Sequence, residues 1–126
     1  IPKFIDAAIK GKNLIITGNG NEVRDFNYVE DAVQIIFKTL SLGSKKLKII
    51  NSCTGKQTKL IHLAKKIIKL TNSSSKIEIT NESRKWDKIK FRNGSIKKRN
   101  LLIGKLKLTS LDKGLKKTIN WYLKNL

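Results

Sequence analysis

The alternation of helical and strand patterns constrains the fold more than any other feature of this sequence. Apolar residues recur every three or four positions in the stretches that we predict as helices. The helices are expected at residues 2–10, at 29–42, from Thr58 onward, from Ser95 to Gly104 and from Ser110 onward. Short apolar runs between them predict strands at residues 13–17, 46–51 and 76–80.

Strands separated by helices favour parallel neighbours, so the pattern predicts an α/β fold rather than an all-α or all-β one. We expect about five helices and about three short strands in one unit that spans residues 1–126. Parallel sheets are normally covered on both faces, and a sheet this narrow leaves edges and faces uncovered. The missing neighbours are therefore expected in a preceding segment.

Several classes of protein are disfavoured by the composition. No apolar run is long enough for a membrane span, and the first ten residues lack the layout of a secretory signal, so we expect a cytoplasmic protein. Cys53 and His62 are the sole residues of their types, which argues against disulfides and zinc sites. The chain starts at Ile1 and contains no methionine, which favours a fragment of a longer protein.

A formal net charge of +19 raises the possibility of nucleic-acid binding. However, lysines occur in nearly every segment, while arginine, the better residue for forked contacts, occurs at positions 24, 84, 92 and 99. We interpret the charge mainly as solvated lysine faces. A small basic nucleic-acid-binding module is kept as an alternative.

The stretch TGNGNEVRDFNYVEDAV, residues 17–33, combines a glycine turn with a strand that carries an arginine. Together with INSCTGKQTKLIHLAKKIIKLT, SRKWDKIKFRNGSIKKRNLLIG and TSLDKGLKKTINWYLKN, in this order, it resembles the C-terminal part of extended short-chain dehydrogenase/reductases. These are the NAD-dependent nucleotide-sugar epimerases and dehydratases. The most specific block comprises Gly18, Gly20, Arg24, Asp25, Phe26, Val29 and Asp31.

The resemblance implies that these residues are the substrate-binding part of an enzyme. The family's Rossmann core, which binds NAD and supplies a Tyr-x-x-x-Lys pair, would lie outside this chain, since neither Tyr28 nor Tyr122 precedes such a lysine. The segment alone is expected to be inactive, with no catalytic and no cofactor-binding residue of its own. The bound molecule is expected to be a nucleotide-sugar, with UDP-glucose 4-epimerase as the first choice of type. Family members often form homodimers through the Rossmann part, so the sequence leaves the oligomeric state open.

The resemblance places Arg24 on the diphosphate of the nucleotide-sugar. A guanidinium fork suits this role, because it can donate to two oxygens at once. The alternative is that Arg24 pairs with Asp25 or Asp31 and fixes the turn to the following helix.

By the same resemblance, Arg84 would reach the diphosphate from a second loop, and Asp87 would lie near the ribose or sugar. Arg92 is a weaker candidate for an anion contact. The backbone groups of Ile15 and Thr17 match the positions that pair with the edge of uracil or thymine.

The sequence departs from the family at NSCTG, residues 51–55, where Cys53 replaces a usual glycine. If that glycine has a positive φ, Cys53 would strain the turn by about 1 kcal/mol. Cys53 is not expected to be a nucleophile, because the sequence positions no base beside it. The departure keeps a further alternative open, a non-catalytic remnant that serves as an interaction surface.

Overall fold

The computed structural model describes residues 1–43, 47–80 and 89–125. The described residues form an α/β fold with the five helices that the sequence predicts. They are α1 (Pro2–Ile9), α2 (Val29–Leu40), α3 (Leu60–Thr71), α4 (Lys97–Ile103) and α5 (Leu111–Asn125). The strands are β1 (Leu14–Thr17), β2 (Val23–Arg24), β3 (Thr58–Lys59), β4 (Ile77–Thr80) and β5 (Phe91–Arg92).

The strands form two small sheets. In the first, β1 pairs in parallel with β4, with Leu14 opposite Ile77 and Thr17 opposite Thr80. In the second, β2 is the middle strand, antiparallel to β3 and parallel to β5. The three strands of the second sheet are two residues long, too short to produce a periodic sequence pattern. The strand that carries Arg24 was expected, whereas β3 and β5 were not.

The core lies between β1 and three helices, and its apolar side chains come from the faces that the periodicity predicts. In α3 the buried residues Leu63, Ala64 and Ile67 lie on one face of the helix, and Leu63 is 1% exposed. Burial of side chains of this size stabilises the fold by about 1.5–3 kcal/mol each. The core consists of Ile5, Ala8, Leu14, Ile16, Leu63, Ala64, Ile67, Leu115 and Ile119.

The helix ends predicted from the sequence are confirmed at α4 and α5, whereas the one predicted for α3 is wrong. Gly104 ends α4 with a positive φ of 78°, and the Ser110 hydroxyl accepts a hydrogen bond from the Lys113 amide at 3.3 Å. Thr58, predicted as the cap of α3, lies in β3 instead, because its backbone pairs with Arg24. The first amides of α3, those of Leu60 and Ile61, donate to the carbonyls of the 20–22 turn at 3.0 Å.

The prediction of a strand at 46–51 is wrong for the residues that the structure describes. Residues 47–51 contain no strand, and Leu47 is 92% exposed. A strand needs a neighbour for its backbone groups, and within the described ranges no strand pairs with this segment.

Helix α2 is amphipathic as predicted, but its apolar face is exposed. Asp31 and Ile35 are the buried residues of this helix. The exposed apolar side chains include Val33, Ile36, Phe37 and Leu40. Among the described helices, none has the length and apolar character that a membrane span requires.

Candidate functional site

Arg24 lies on β2, the middle strand of the second sheet, and its backbone is therefore fixed from two sides. The Val23 amide donates to the Lys90 carbonyl at 2.8 Å, and Arg24 pairs with Thr58 on the other strand. The half-buried side chain donates from Nη1 to the Val23 carbonyl at 2.9 Å and to the Lys90 carbonyl at 3.4 Å. The guanidinium is thus held close to the strand that carries it.

The parallel register places Arg92 of β5 directly opposite Arg24. Paired residues of neighbouring strands point to the same face of a sheet. The structure thus brings Arg24 together with the weaker of the arginine candidates. Two arginines thus lie on one face of the second sheet.

Asp25, the next residue, binds the loop at 54–55. Its Oδ1 accepts hydrogen bonds from the Thr54 amide at 3.0 Å and the Thr54 hydroxyl at 2.6 Å. Its Oδ2 accepts a hydrogen bond from the Gly55 amide at 2.7 Å. This carboxylate connects the end of β2 to the NSCTG segment.

Asp31 makes a similar connection from α2. Its carboxylate accepts hydrogen bonds from the Thr109 amide at 2.8 Å and the Thr109 hydroxyl at 3.1 Å. The two acids considered as partners of Arg24 thus bond to Thr54, Gly55 and Thr109. These connections could not be predicted from the sequence, because nothing local indicates which distant amide a carboxylate will meet.

The ladder between β1 and β4 determines which backbone groups of β1 face outward. The amides of Leu14 and Gly18 donate to the Lys76 and Thr80 carbonyls. In a parallel pair one residue directs both its N–H and its C=O to the same neighbour. The backbone groups of Ile15 and Thr17 therefore point to the opposite edge of β1.

The glycine turn at 18–20 does not have the surroundings of a dinucleotide site. Gly18 has a positive φ of 97°, and a Cβ there would lie 2.4 Å from the Glu22 Oε1 atom. The turn continues into β2 rather than into a helix, and such a site places the pyrophosphate at a helix N-terminus. The residues of this chain do not fit NAD at this turn.

Cys53 is buried, and burial raises the pKa of its thiol. Asn72 is the one non-glycine residue with a positive φ within the described ranges, so Cys53 does not introduce the strain considered above. A Cβ on Gly94 would approach the Cys53 Sγ atom to 2.6 Å, which shows how closely the two segments pack. A protonated, buried thiol is a poor nucleophile.

Two predicted site residues, Arg84 and Asp87, lie outside the described residues. Arg99, by contrast, was predicted only as one of the cations in the run KKR, residues 97–99. It is 2% exposed, and its Nη1 donates to the Cys53 carbonyl. The sequence does not indicate that this arginine is buried, because it directly follows two lysines, Lys97 and Lys98, that are exposed.

Residues 1–53 match the model of the NAD dependent epimerase/dehydratase family. The chain is 32% identical, over 97% of its length, to UDP-N-acetyl-alpha-D-glucosaminuronate decarboxylase from Bacillus cytotoxicus. The chain is thus similar to members of the NAD-dependent epimerase/dehydratase family. It spans 39% of that decarboxylase.

Solved structures of similar proteins share the fold. UDP-glucose 4-epimerase from Thermotoga maritima, solved with UDP-glucose, superimposes with a TM-score of 0.87 at 25% identity. The Bordetella bronchiseptica enzyme WbmF, solved with NADH, superimposes with a TM-score of 0.83 at 34% identity. The matches cover 97% and 98% of this chain but 38% and 36% of those proteins. The fold described above therefore occurs as part of a larger Rossmann-type enzyme.

Proposed function

We propose that this chain is the nucleotide-sugar-binding, C-terminal part of an NAD-dependent epimerase or dehydratase that acts on a UDP-sugar. A 4-epimerase is the first choice of type. In this proposal Arg24 binds the diphosphate, the outer edge of β1 binds the uracil, and NAD is bound by residues outside this chain. Arg84 and Asp87 remain predicted contacts to the diphosphate and to the ribose or sugar.

The position of Arg24 on the middle strand of a sheet carries this proposal. Its strand has neighbours on both sides, and its Nη1 atom donates to the Val23 carbonyl, so the side chain needs little further ordering to meet an anion. Arg92 stands opposite on β5 and adds a second positive charge to the same face. A diphosphate carries more than one negative charge, so this arrangement matches it better than a single cation would.

The outer edge of β1 supports the assignment of the base. The edge presents the N–H and C=O groups of Ile15 and then those of Thr17. Uracil presents an N–H between two carbonyl oxygens, so it can both donate to and accept from such an edge. Cytosine has a ring nitrogen acceptor and an amino group in the corresponding places. An edge of fixed backbone groups would thus discriminate between the two bases.

The chemical task of these residues is to anchor the substrate. Contacts to the nucleotide are remote from the reacting sugar carbons, and such contacts fix the sugar in the orientation that the reaction requires. The chain has no Tyr-x-x-x-Lys pair, so we expect it to bind the nucleotide without turning over a nucleotide-sugar.

The test is a calorimetric titration of the chain with UDP, before and after Arg24→Ala. Loss of a charge-assisted contact costs about 1.5–3 kcal/mol, so we expect UDP affinity to fall by about 10-fold to 150-fold. Lys38→Ala is the matched control, since it removes an exposed cation from α2. Equal affinities for the Arg24→Ala variant and the unmodified chain would remove Arg24 from the site.

The same titration with CDP tests the edge of β1. We expect CDP to bind about tenfold or more weakly than UDP, because the mismatched base leaves polar groups unpaired. Equal binding of the two nucleotides would contradict the assignment of Ile15 and Thr17. If neither the unmodified chain nor the Lys38→Ala variant binds UDP, the alternative of a non-catalytic remnant that serves as an interaction surface is favoured instead.

A further inference from the structure

A cavity of about 570 Å³ lies between the loop at 54–58, helix α4 and the segment that leads into α5. Its lining has no acidic residue but contains four basic ones, Lys56, Lys66, Arg99 and Lys105. The described residues of the proposed UDP site, Arg24, Ile15 and Thr17, are not among those that line it. The cavity thus has a positively charged lining that does not include these residues.

Arg99 is the unusual member of this lining, because it is almost fully buried. Its Nε and Nη2 atoms donate to the Asn100 Oδ1 atom at 3.2 and 2.9 Å, and its Nη1 donates to the Cys53 carbonyl. These acceptors are neutral, and the described part of the chain contains no ion pair to Arg99. A buried charge is costly unless an opposite charge compensates it.

Asp25 is the candidate acid for compensating the buried charge of Arg99. Asp25 accepts a hydrogen bond from the Thr54 amide and Arg99 donates to the Cys53 carbonyl, so both lie near residues 53–54. However, the Asp25 oxygens bond to Thr54 and Gly55. The guanidinium therefore lies at the cavity wall without a direct acidic partner in the described residues.

The ion pairing of the three lysines in the lining indicates what charge a ligand should carry. Lys66 pairs with Asp112 at 2.6 Å, which neutralises it. Lys56 and Lys105 have no ion pair within the ranges that the structure describes, so together with Arg99 they leave three positive charges. A carboxylate brings one negative charge, whereas a phosphate monoester brings about 1.5–2 at neutral pH.

The apolar part of the lining indicates the rest of the ligand. Leu106 and Leu108 form part of the wall beside the cations. The volume is within the range of about 300–1,000 Å³ that small-molecule sites occupy. Inorganic phosphate alone would leave this apolar wall in contact with water.

We propose that this cavity binds the phosphate monoester of a small organic molecule, at a site separate from the one proposed for UDP. Arg99 forms its inner wall, Lys56 and Lys105 neutralise the phosphate from the rim, and Leu106 and Leu108 contact the organic group.

The test uses the full chain with phenyl phosphate, inorganic phosphate and benzoate, each titrated by calorimetry at about 150 mM salt to screen surface charges. We expect phenyl phosphate to bind most tightly, because it alone has both a dianion and an apolar group. Affinity for phenyl phosphate should rise between about pH 5 and pH 7, as the phosphate loses its second proton near pH 6. Equal affinities for phenyl phosphate and benzoate, or no change with pH, would overturn the proposal.

Variants of the rim lysines avoid disturbing the buried Arg99. We expect the double variant Lys56→Gln/Lys105→Gln to bind phenyl phosphate about tenfold or more weakly. The exposed pair Lys12→Gln/Lys38→Gln is the control for net charge and should leave the affinity within about twofold. An equal loss in both double variants would show attraction to the overall charge and reject the site.

A third variant, Arg24→Gln, separates this proposal from the function proposed above. It should retain binding of phenyl phosphate while losing UDP. If Arg24→Gln loses phenyl phosphate as well, the ligand occupies the UDP site and the second site does not exist.

Discussion

Helices α2 and α3 have similar lengths and similar amphipathic patterns, yet they are held in the structure by different means. The apolar side chains of α3 enter the core, and Leu63 is 1% exposed. In α2 the corresponding face is open, with Leu40 72% exposed, while Asp31 and Ile35 provide the buried contacts. A 3.6-residue period therefore predicts a helix but not the surface that will cover its apolar face.

The largest effect that this comparison predicts is on the core side of α3. Leu63→Ala should lower the free energy of unfolding by about 2–5 kcal/mol, because it removes buried methyl groups and leaves a cavity. The matched change in α2, Leu40→Ala, removes an exposed side chain and should change stability by about 0.5 kcal/mol or less. Urea denaturation of both variants measures the difference. Equal losses would mean that the two helices are buried to the same extent in solution.

The second prediction concerns the polar contact that secures α2. Asp31→Ala should destabilise the chain by about 1–3 kcal/mol, because the Thr109 amide and hydroxyl lose their acceptor. Asp112→Ala is the control, since this exposed carboxylate forms a surface ion pair with Lys66 that is worth about 1 kcal/mol or less. Urea denaturation of the two variants provides the comparison. A loss no greater than that of Asp112→Ala would remove Asp31 from the contacts that hold α2.

The smallest effect is expected on the open face of α2 itself. Phe37→Glu should change the free energy of unfolding by about 0.5 kcal/mol or less, and it should reduce the fluorescence of a dye that binds exposed apolar surface. The opposite control is Ile67→Glu, which places a charge in the core and should unfold the chain. A loss of several kcal/mol from Phe37→Glu would show that this face is covered in solution.

The sequence predicted the parts of the fold that depend on neighbouring residues. The five helices, the strands β1 and β4, the end of α4 at Gly104 and the cap at Ser110 all follow from local spacing and local chemistry. The prediction failed at Thr58, whose backbone pairs with Arg24 instead of opening a helix. It also failed at residues 46–51, where an apolar run has no strand beside it in the described chain.

The candidate site was predictable to a similar degree. The arginine at position 24, and the likeness of its block to a known family, could be identified from the residue types and their order. That Arg92 stands opposite Arg24 could not, because residues 68 positions apart meet through a strand pairing two residues long. The burial of Arg99 could not be predicted either, since the run KKR resembles the exposed lysine pairs elsewhere in the chain.

The helices, the excess of positive charge and the similarity to the NAD-dependent epimerase/dehydratase family follow from residue types and their order alone. Tertiary structure alone decided which face of α2 is buried, that Asp25 binds the loop at 54–55, and that one arginine lies against a cavity without an acidic partner among the described residues. These outcomes depend on which distant segments come into contact, and the free energy of such contacts does not depend on local periodicity.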